Sequence, residues 1–182
     1  MKHLLILLIV AGTAGAIFKI WSDHKKPLGN VNSKLVMQIS STAFANNGII
    51  PEKYTCTGEN VNPPLSFHGI LADARSLALV MDDLSATNGI FTHWVVFNMS
   101  TTTTGISENS KPRGVEAKNS ANLYKYIGPC PPSGEHRYVF RLYAIDKIHE
   151  EALITNKATL MAQIQGHILD SAELSGRVSK ED

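Results

Sequence analysis

Tyr126 to Asp146 constrains the fold more than any other stretch of this chain. Its first half is a stiff loop: Gly128 and Gly134 allow backbone angles closed to other residues, and Pro129, Pro131 and Pro132 fix φ. Its second half alternates as a strand does. From Arg137 to Ile145, Tyr138, Phe140, Leu142 and Ala144 share one face, with Arg137, Val139, Arg141 and Tyr143 on the other. The joint carries His136, Arg137 and Tyr138. A rigid loop that delivers polar side chains to the start of a strand suits a binding site, and a proline-rich turn before a core strand would read the same way.

The chain has 182 residues, enough for one domain with a full core. A net charge of +1 and the lack of a basic run argue against a nucleic-acid partner. The N-terminus differs from the rest. Met1-Lys2-His3 is followed by an apolar run from Leu4 to Ile20 interrupted only by Lys19, and Ala14-Gly15-Ala16 is a small-x-small cleavage site. Residues 1–21 therefore read as a signal peptide, giving a periplasmic or secreted domain. The alternative is an uncleaved inner-membrane anchor with the domain facing the periplasm, and membrane contact only through that segment. Residues 22–33 read as a polar linker, 34–178 as the domain and 179–182 as a charged tail.

Cys56 and Cys130 are the two cysteines, both in Pro/Gly-rich loops. In an exported chain this suggests one disulfide rather than buried free thiols. Without a nearby histidine pair they do not make a zinc site. No cofactor or metal is expected.

Short strands are predicted at Leu35–Ser40, Leu65–Phe67, Ser76–Met81 and Thr92–Met99, before the Arg137–Ile145 strand. Ser76–Met81 is nearly all apolar, as for a strand covered on both faces. In Thr92–Met99, strict alternation places His93, Val95, Phe97 and Met99 opposite Trp94, Val96 and Asn98. Phe44–Pro51, Glu52–Pro64 and Ser100–Leu123 have loop composition, the last being long for a compact domain. Asn156 is placed to cap a helix over Lys157–Leu174, where Leu160, Ile164, Ile168 and Ala172 recur every four residues. Gly166 within it hints at close packing, and Gly176 would stop it. Many strands and one C-terminal helix predict a mainly β fold, an antiparallel sandwich with peripheral helices. If its central strands are neighbours, Asp82 or Asp83, His93, His136 and Tyr138 converge at one end.

The string Gly128-Pro129-Cys130-Pro131-Pro132-Ser133-Gly134-Glu135-His136-Arg137-Tyr138, with Asp82-Asp83 and His93-Trp94-Val95-Val96-Phe97-Asn98-Met99, resembles the phosphatidylethanolamine-binding protein family. The likeness is to its bacterial Raf-kinase-inhibitor-like branch (YbhB/YbcL type). Ile50–Cys56, Glu59–Leu65 and Gly166–Leu169 extend it in family order from about Val36 to Gly176. The resemblance implies a β-sandwich with an anion pocket for phosphate or phospholipid head groups. That pocket would be lined by Asp83, His93, His136 and Tyr138, and walled by Gly128, Pro129, Pro131 and Pro132. Protonated imidazoles suit an anion, and a carboxylate beside one of them orients it.

The chain departs from the family at two places. Where relatives carry Asp-Pro-Asp-x-Pro, it has Asp83-Leu84-Ser85-Ala86-Thr87, which implies a freer loop with one carboxylate fewer. Where relatives carry Asn-Asp-aromatic-Gly, it has Asn119-Ser120-Ala121-Asn122. Three functions compete. The first is a binding module for a small anionic or phosphorylated ligand, regulating or inhibiting a protein partner that the residues do not identify. The second is a hydrolase or lyase using Asp83, His93 and His136, which lacks a recognisable nucleophile motif. The third is a secreted interaction protein with a degenerate pocket.

Overall fold

The computed structural model describes Val36–Lys180, part of a unit spanning Leu35–Asp182. The leader, the linker and the last two tail residues lie outside the described residues. The strands are β1 (Gln38–Ser40), β2 (Gly48–Ile49), β3 (Leu65–His68), β4 (Ser76–Asp83), β5 (Phe91–Met99), β6 (Gly105–Ile106), β7 (Val115–Glu116), β8 (Gly134–Ile145) and β9 (Ile168–Lys180); the helix α1 is Lys157–Ile164. They form a small sheet ordered β1-β3-β6 and a large one ordered β2-β9-β8-β4-β5-β7. Neighbours are antiparallel except β2 and β9, which run parallel.

Both faces of the large sheet are covered. On one, Leu77, Leu79, Met81, Trp94, Val96, Phe140 and Leu142 pack with Ile39, Leu65, Phe67 and Ile106 of the small sheet. On the other, Ala78, Val80, Val95 and Phe97 pack with Leu160 and Ile164 of α1. Hence every residue of β4 is buried, as its unbroken apolar run predicts. Leu160 and Ile164 each contribute about 1.5–3 kcal/mol by burial, so two side chains one turn apart help to seat this short helix.

Helix α1 begins as expected and ends early. The Asn156 carboxamide accepts from the Thr159 amide at 3.0 Å, and the Thr159 hydroxyl accepts from the Asn156 amide at 3.0 Å, a capping box. The helix predicted to reach Leu174 stops at Ile164, and Ile168–Lys180 is a strand paired along the whole of β8. A spacing of four satisfies either structure, being near one helical turn and also two pleats. Ala172 and Leu174 therefore point into the sandwich from a strand. Gly166 has φ of 80° with nothing close to its missing Cβ, so it serves a left-handed turn and not close packing. Gly176 stops nothing. It sits inside β9, where a Cβ would come 2.5 Å from Ile50 Cγ1 and 3.0 Å from Phe44 Cε2.

Two of the expected loops contain short strands. Ser100–Leu123 contains β6 and β7, and Phe44–Pro51 contains β2, each only two residues long and invisible to periodicity. Among the described residues no helix is long and apolar enough to cross a membrane.

Candidate functional site

Strand β4 lies between β5 and β8, which brings the three chemical clusters to one end of the large sheet. Asp83 is in register with Tyr138 on β8 and Phe91 on β5. Asp82 and Asp83 point to opposite faces. Asp83 joins His136, whose Nδ1 lies 2.7 Å from Asp83 Oδ2. Asp82 lies beneath α1, accepting from Thr92 Oγ1 at 2.8 Å and from Lys157 Nζ at 2.7 Å.

His93 reaches the site through a β-bulge. Met81 pairs with Trp94 and Asp82 with Thr92, so His93 is the extra residue of β5. Strict alternation would send it to the helix side with Val95. The bulge turns its ring to the sandwich side, edge-on to Tyr138 with centroids 5.3 Å apart. A second shift follows at Asn98, which has φ of 53°, and it moves Met99 to the face of Trp94 and Val96. The predicted alternation of β5 is therefore corrected at both ends.

The four side chains are tightly enclosed. Asp83 and His93 are 4% exposed, His136 7% and Tyr138 0%. The His136 and Tyr138 rings stack with centroids 6.4 Å apart. The Tyr138 hydroxyl is buried and makes no well-formed hydrogen bond among the described residues, although the Asp83 carboxylate and the Cys130 main chain lie near it. Burial pushes the Tyr138 phenol well up, and Asp83 adds to the effect. Burial also pulls the His93 imidazole below the ordinary histidine range, partly offset by the Ile127 carbonyl and by Asp83.

Hydrogen bonding sets the tautomers. His93 Nδ1 is 2.9 Å from the Ile127 carbonyl, which only accepts, so Nδ1 carries the proton. The His136 Nδ1 proton goes to Asp83 Oδ2. Each Nε2 of the neutral rings is then a lone pair, and becomes a donor only on protonation.

The wall is fixed by the 56–130 cystine and by backbone. Cys56 and Cys130 are bonded, and the Cys56 amide donates to the Pro129 carbonyl at 3.0 Å. Pro129 and Pro131 are buried; Pro132 is exposed. The Gly128 amide donates to Asn60 Oδ1 at 2.6 Å. A Cβ on Gly128 would lie 2.5 Å from the Tyr54 carbonyl oxygen and 2.8 Å from Thr55 Cα, both main-chain atoms. Gly128→Ala is therefore expected to destabilise by about 1–3 kcal/mol, an overpacking cost, read as a lower urea midpoint; an unchanged midpoint would contradict this packing.

Three positioning residues escaped the sequence reading. Asn119 is buried; its Oδ1 accepts from the amides of Ala121 and Leu123, and its Nδ2 donates to the Lys125 and His93 carbonyls. It thus builds its own turn against His93. Asn60 holds Gly128 from φ of 57°, a left-handed asparagine that composition alone does not reveal. Ser85 pins the altered loop. Its amide donates to Asp83 Oδ1 at 2.8 Å, and its hydroxyl accepts from the Arg137 amide at 3.0 Å. Leu84 adds a bond to the Arg137 carbonyl at 3.0 Å. The loop expected to be freer without its prolines is held by hydrogen bonds instead.

A two-layer sandwich with an Asp–His pair, a bulged histidine and a buried tyrosine at one end defines a recognisable class. The phosphatidylethanolamine-binding protein family model matches residues 40–179. A UPF0098 protein of Methanothermobacter thermautotrophicus is 42% identical over 146 residues, covering 77% of this chain and 97% of the relative. One from Chlamydia pneumoniae is 38% identical over 149 residues, covering 79% and 99%. The crystal structure of CT736 from Chlamydia trachomatis, described as a homolog of phosphatidylethanolamine-binding protein, superposes with a TM-score of 0.76 at 36% identity, covering 81% of this chain and 99% of that one. Escherichia coli YbcL shares the fold with a TM-score of 0.73 at 22% identity, covering 80% and 99%. The chain belongs to the phosphatidylethanolamine-binding protein family.

Proposed function

We propose that this chain is an exported binding module that holds a small anion, a phosphate or a phosphorylated head group, between His93, His136 and Tyr138. The observation that carries the reading is the Tyr138 hydroxyl, a buried unpartnered donor beside two imidazoles whose Nδ1 protons are already committed. A phosphate oxygen would complete it. Binding without turnover is the favoured mode. Among the described residues neither imidazole is hydrogen-bonded to a hydroxyl or thiol that could act as nucleophile, and Cys130 is consumed in the disulfide. That disulfide also fits an oxidising compartment. A protein partner would meet the rim around Pro132 and Arg137, the exposed residues flanking the site.

Because neutral His93 offers a lone pair at Nε2, an incoming dianion must arrive with a proton or draw one from solvent. Phosphate affinity is therefore expected to fall as pH rises from about 5 to about 7, a window set below the ordinary imidazole range because burial lowers the His93 pKa. In calorimetry the binding heat should change with the ionisation enthalpy of the buffer, reporting net proton uptake. His136→Ala should weaken phosphate by about 10–100-fold, the worth of one charge-assisted hydrogen bond. Affinity independent of pH, or unchanged in His136→Ala, would refute the reading. Hydrolysis of a phosphoester or carboxylester by the purified protein, lost in His136→Ala, would replace it with an enzyme.

A further inference from the structure

A concavity of about 300 Å³ lies away from the His93–His136 cluster, lined by residues that include Asn60, Trp94, Glu116 and Tyr126. Trp94 and Tyr126 form its apolar lining, their rings packed edge to face with centroids 5.5 Å apart. Its polar lining includes Asn60, Glu116, Lys111 and Lys125. It contains none of Asp83, His93, His136 and Tyr138. The two places share only structural elements: Trp94 follows His93 on β5, and Ile127, whose carbonyl holds His93, follows Tyr126.

The lining is unbalanced toward donors. Asn60 spends its oxygen on the Gly128 amide, which leaves its NH₂ free. Neither Lys111 nor Lys125 has an ion-pair or side-chain hydrogen-bond partner among the described residues, so both ammonium groups are open to a ligand. Glu116 is the one carboxylate, and its Oε1 accepts from the Trp94 indole at 2.9 Å. Glu116 therefore orients the indole, and its charge leaves the lining with an excess of one cation. Two free ammonium groups and a free amide beside the outer edges of Trp94 and Tyr126, which are 1% and 8% exposed, favour a ligand with an anionic head and a small apolar body.

We infer that this cavity is a second binding site, for a small organic anion: a carboxylate or phosphate monoester whose charged end meets Lys111 and Lys125 and whose small apolar body lies against the outer edges of Trp94 and Tyr126. It is independent of the phosphate pocket, so either can fail without the other.

Phenyl phosphate is a suitable probe, with phenol as its uncharged control. The chain has two tryptophans, Trp21 and Trp94, so full-length protein carrying Trp21→Phe reports Trp94 fluorescence alone. Phenyl phosphate should change that emission saturably, and phenol at equal concentration should not. Lys111→Gln/Lys125→Gln, both at exposed positions, should weaken the response by at least about 10-fold. His136→Ala should leave it within about twofold, by independence of the two sites. No saturable response below about 10 mM would overturn the inference. So would a response that survives the double lysine variant but vanishes in His136→Ala, which would place the probe in the phosphate pocket.

Discussion

Replacing Lys157 with methionine is expected to destabilise the domain by about 3 kcal/mol, although the residue lies on a short surface helix. Asp82 is the cause. Its carboxylate is 1% exposed beneath α1, and Lys157 Nζ is its nearest cation at 2.7 Å, with Arg141 Nη1 at 3.5 Å. Methionine preserves the apolar stem of lysine and removes only the charge, so the loss reports the pairing and not the packing. The effect stands near the lower end of the range for breaking a buried pair, because Arg141 and Thr92 still face the carboxylate. Adding Asp82→Asn should restore much of the loss: the amide keeps an acceptor for Thr92 and carries no charge to bury. Urea denaturation of the single and double variants tests this. A Lys157→Met midpoint equal to that of the parent would show that the ion pair does not seat the helix.

The second large effect concerns the cystine. Cys56 and Cys130 are 74 residues apart in sequence, and closing a loop of that length restricts the unfolded chain by about 4 kcal/mol. Cys56→Ser/Cys130→Ser should thus lower Tm by roughly 10 °C for a domain of this size. The same variant should weaken phosphate, because Cys130 lies in the wall that runs from Gly128 to Pro132. Thiol titration of the unfolded, unreduced protein should find no free thiol. Two free thiols, or a Tm unmoved by the double substitution, would contradict a stabilising bridge.

Much of the fold was legible where side chains repeat with one period only. The faces of β8 follow from Arg137–Ile145 alone, and the two-sided burial of β4 follows from Ser76–Met81. The β9 segment was not legible, because a spacing of four fits a helix and a strand alike, and only pairing with β8 decides between them. Strands β2, β6 and β7 are too short to show any period. The polar residues of the candidate site were legible through their resemblance to one family, and Asp83, His93, His136 and Tyr138 do come together. What supports them was hidden. Ser85, Asn60 and Asn119 act through main-chain hydrogen bonds whose partners lie far off in sequence or only form once the turn is made. The contact of Lys157 with Asp82 joins residues 75 apart in sequence, and neither residue signals the other.

The bulge at His93 has a bearing on how such chains tolerate insertions and deletions. The imidazole faces the sandwich because β5 carries one residue more than β4 between their paired positions. The site is thus encoded partly as a count. Removing Thr92 would keep the histidine, yet restore plain alternation and turn the ring toward the helix layer. Relatives that drift freely in composition along this strand can keep the geometry; those that lose one position in it cannot, whatever residues they retain.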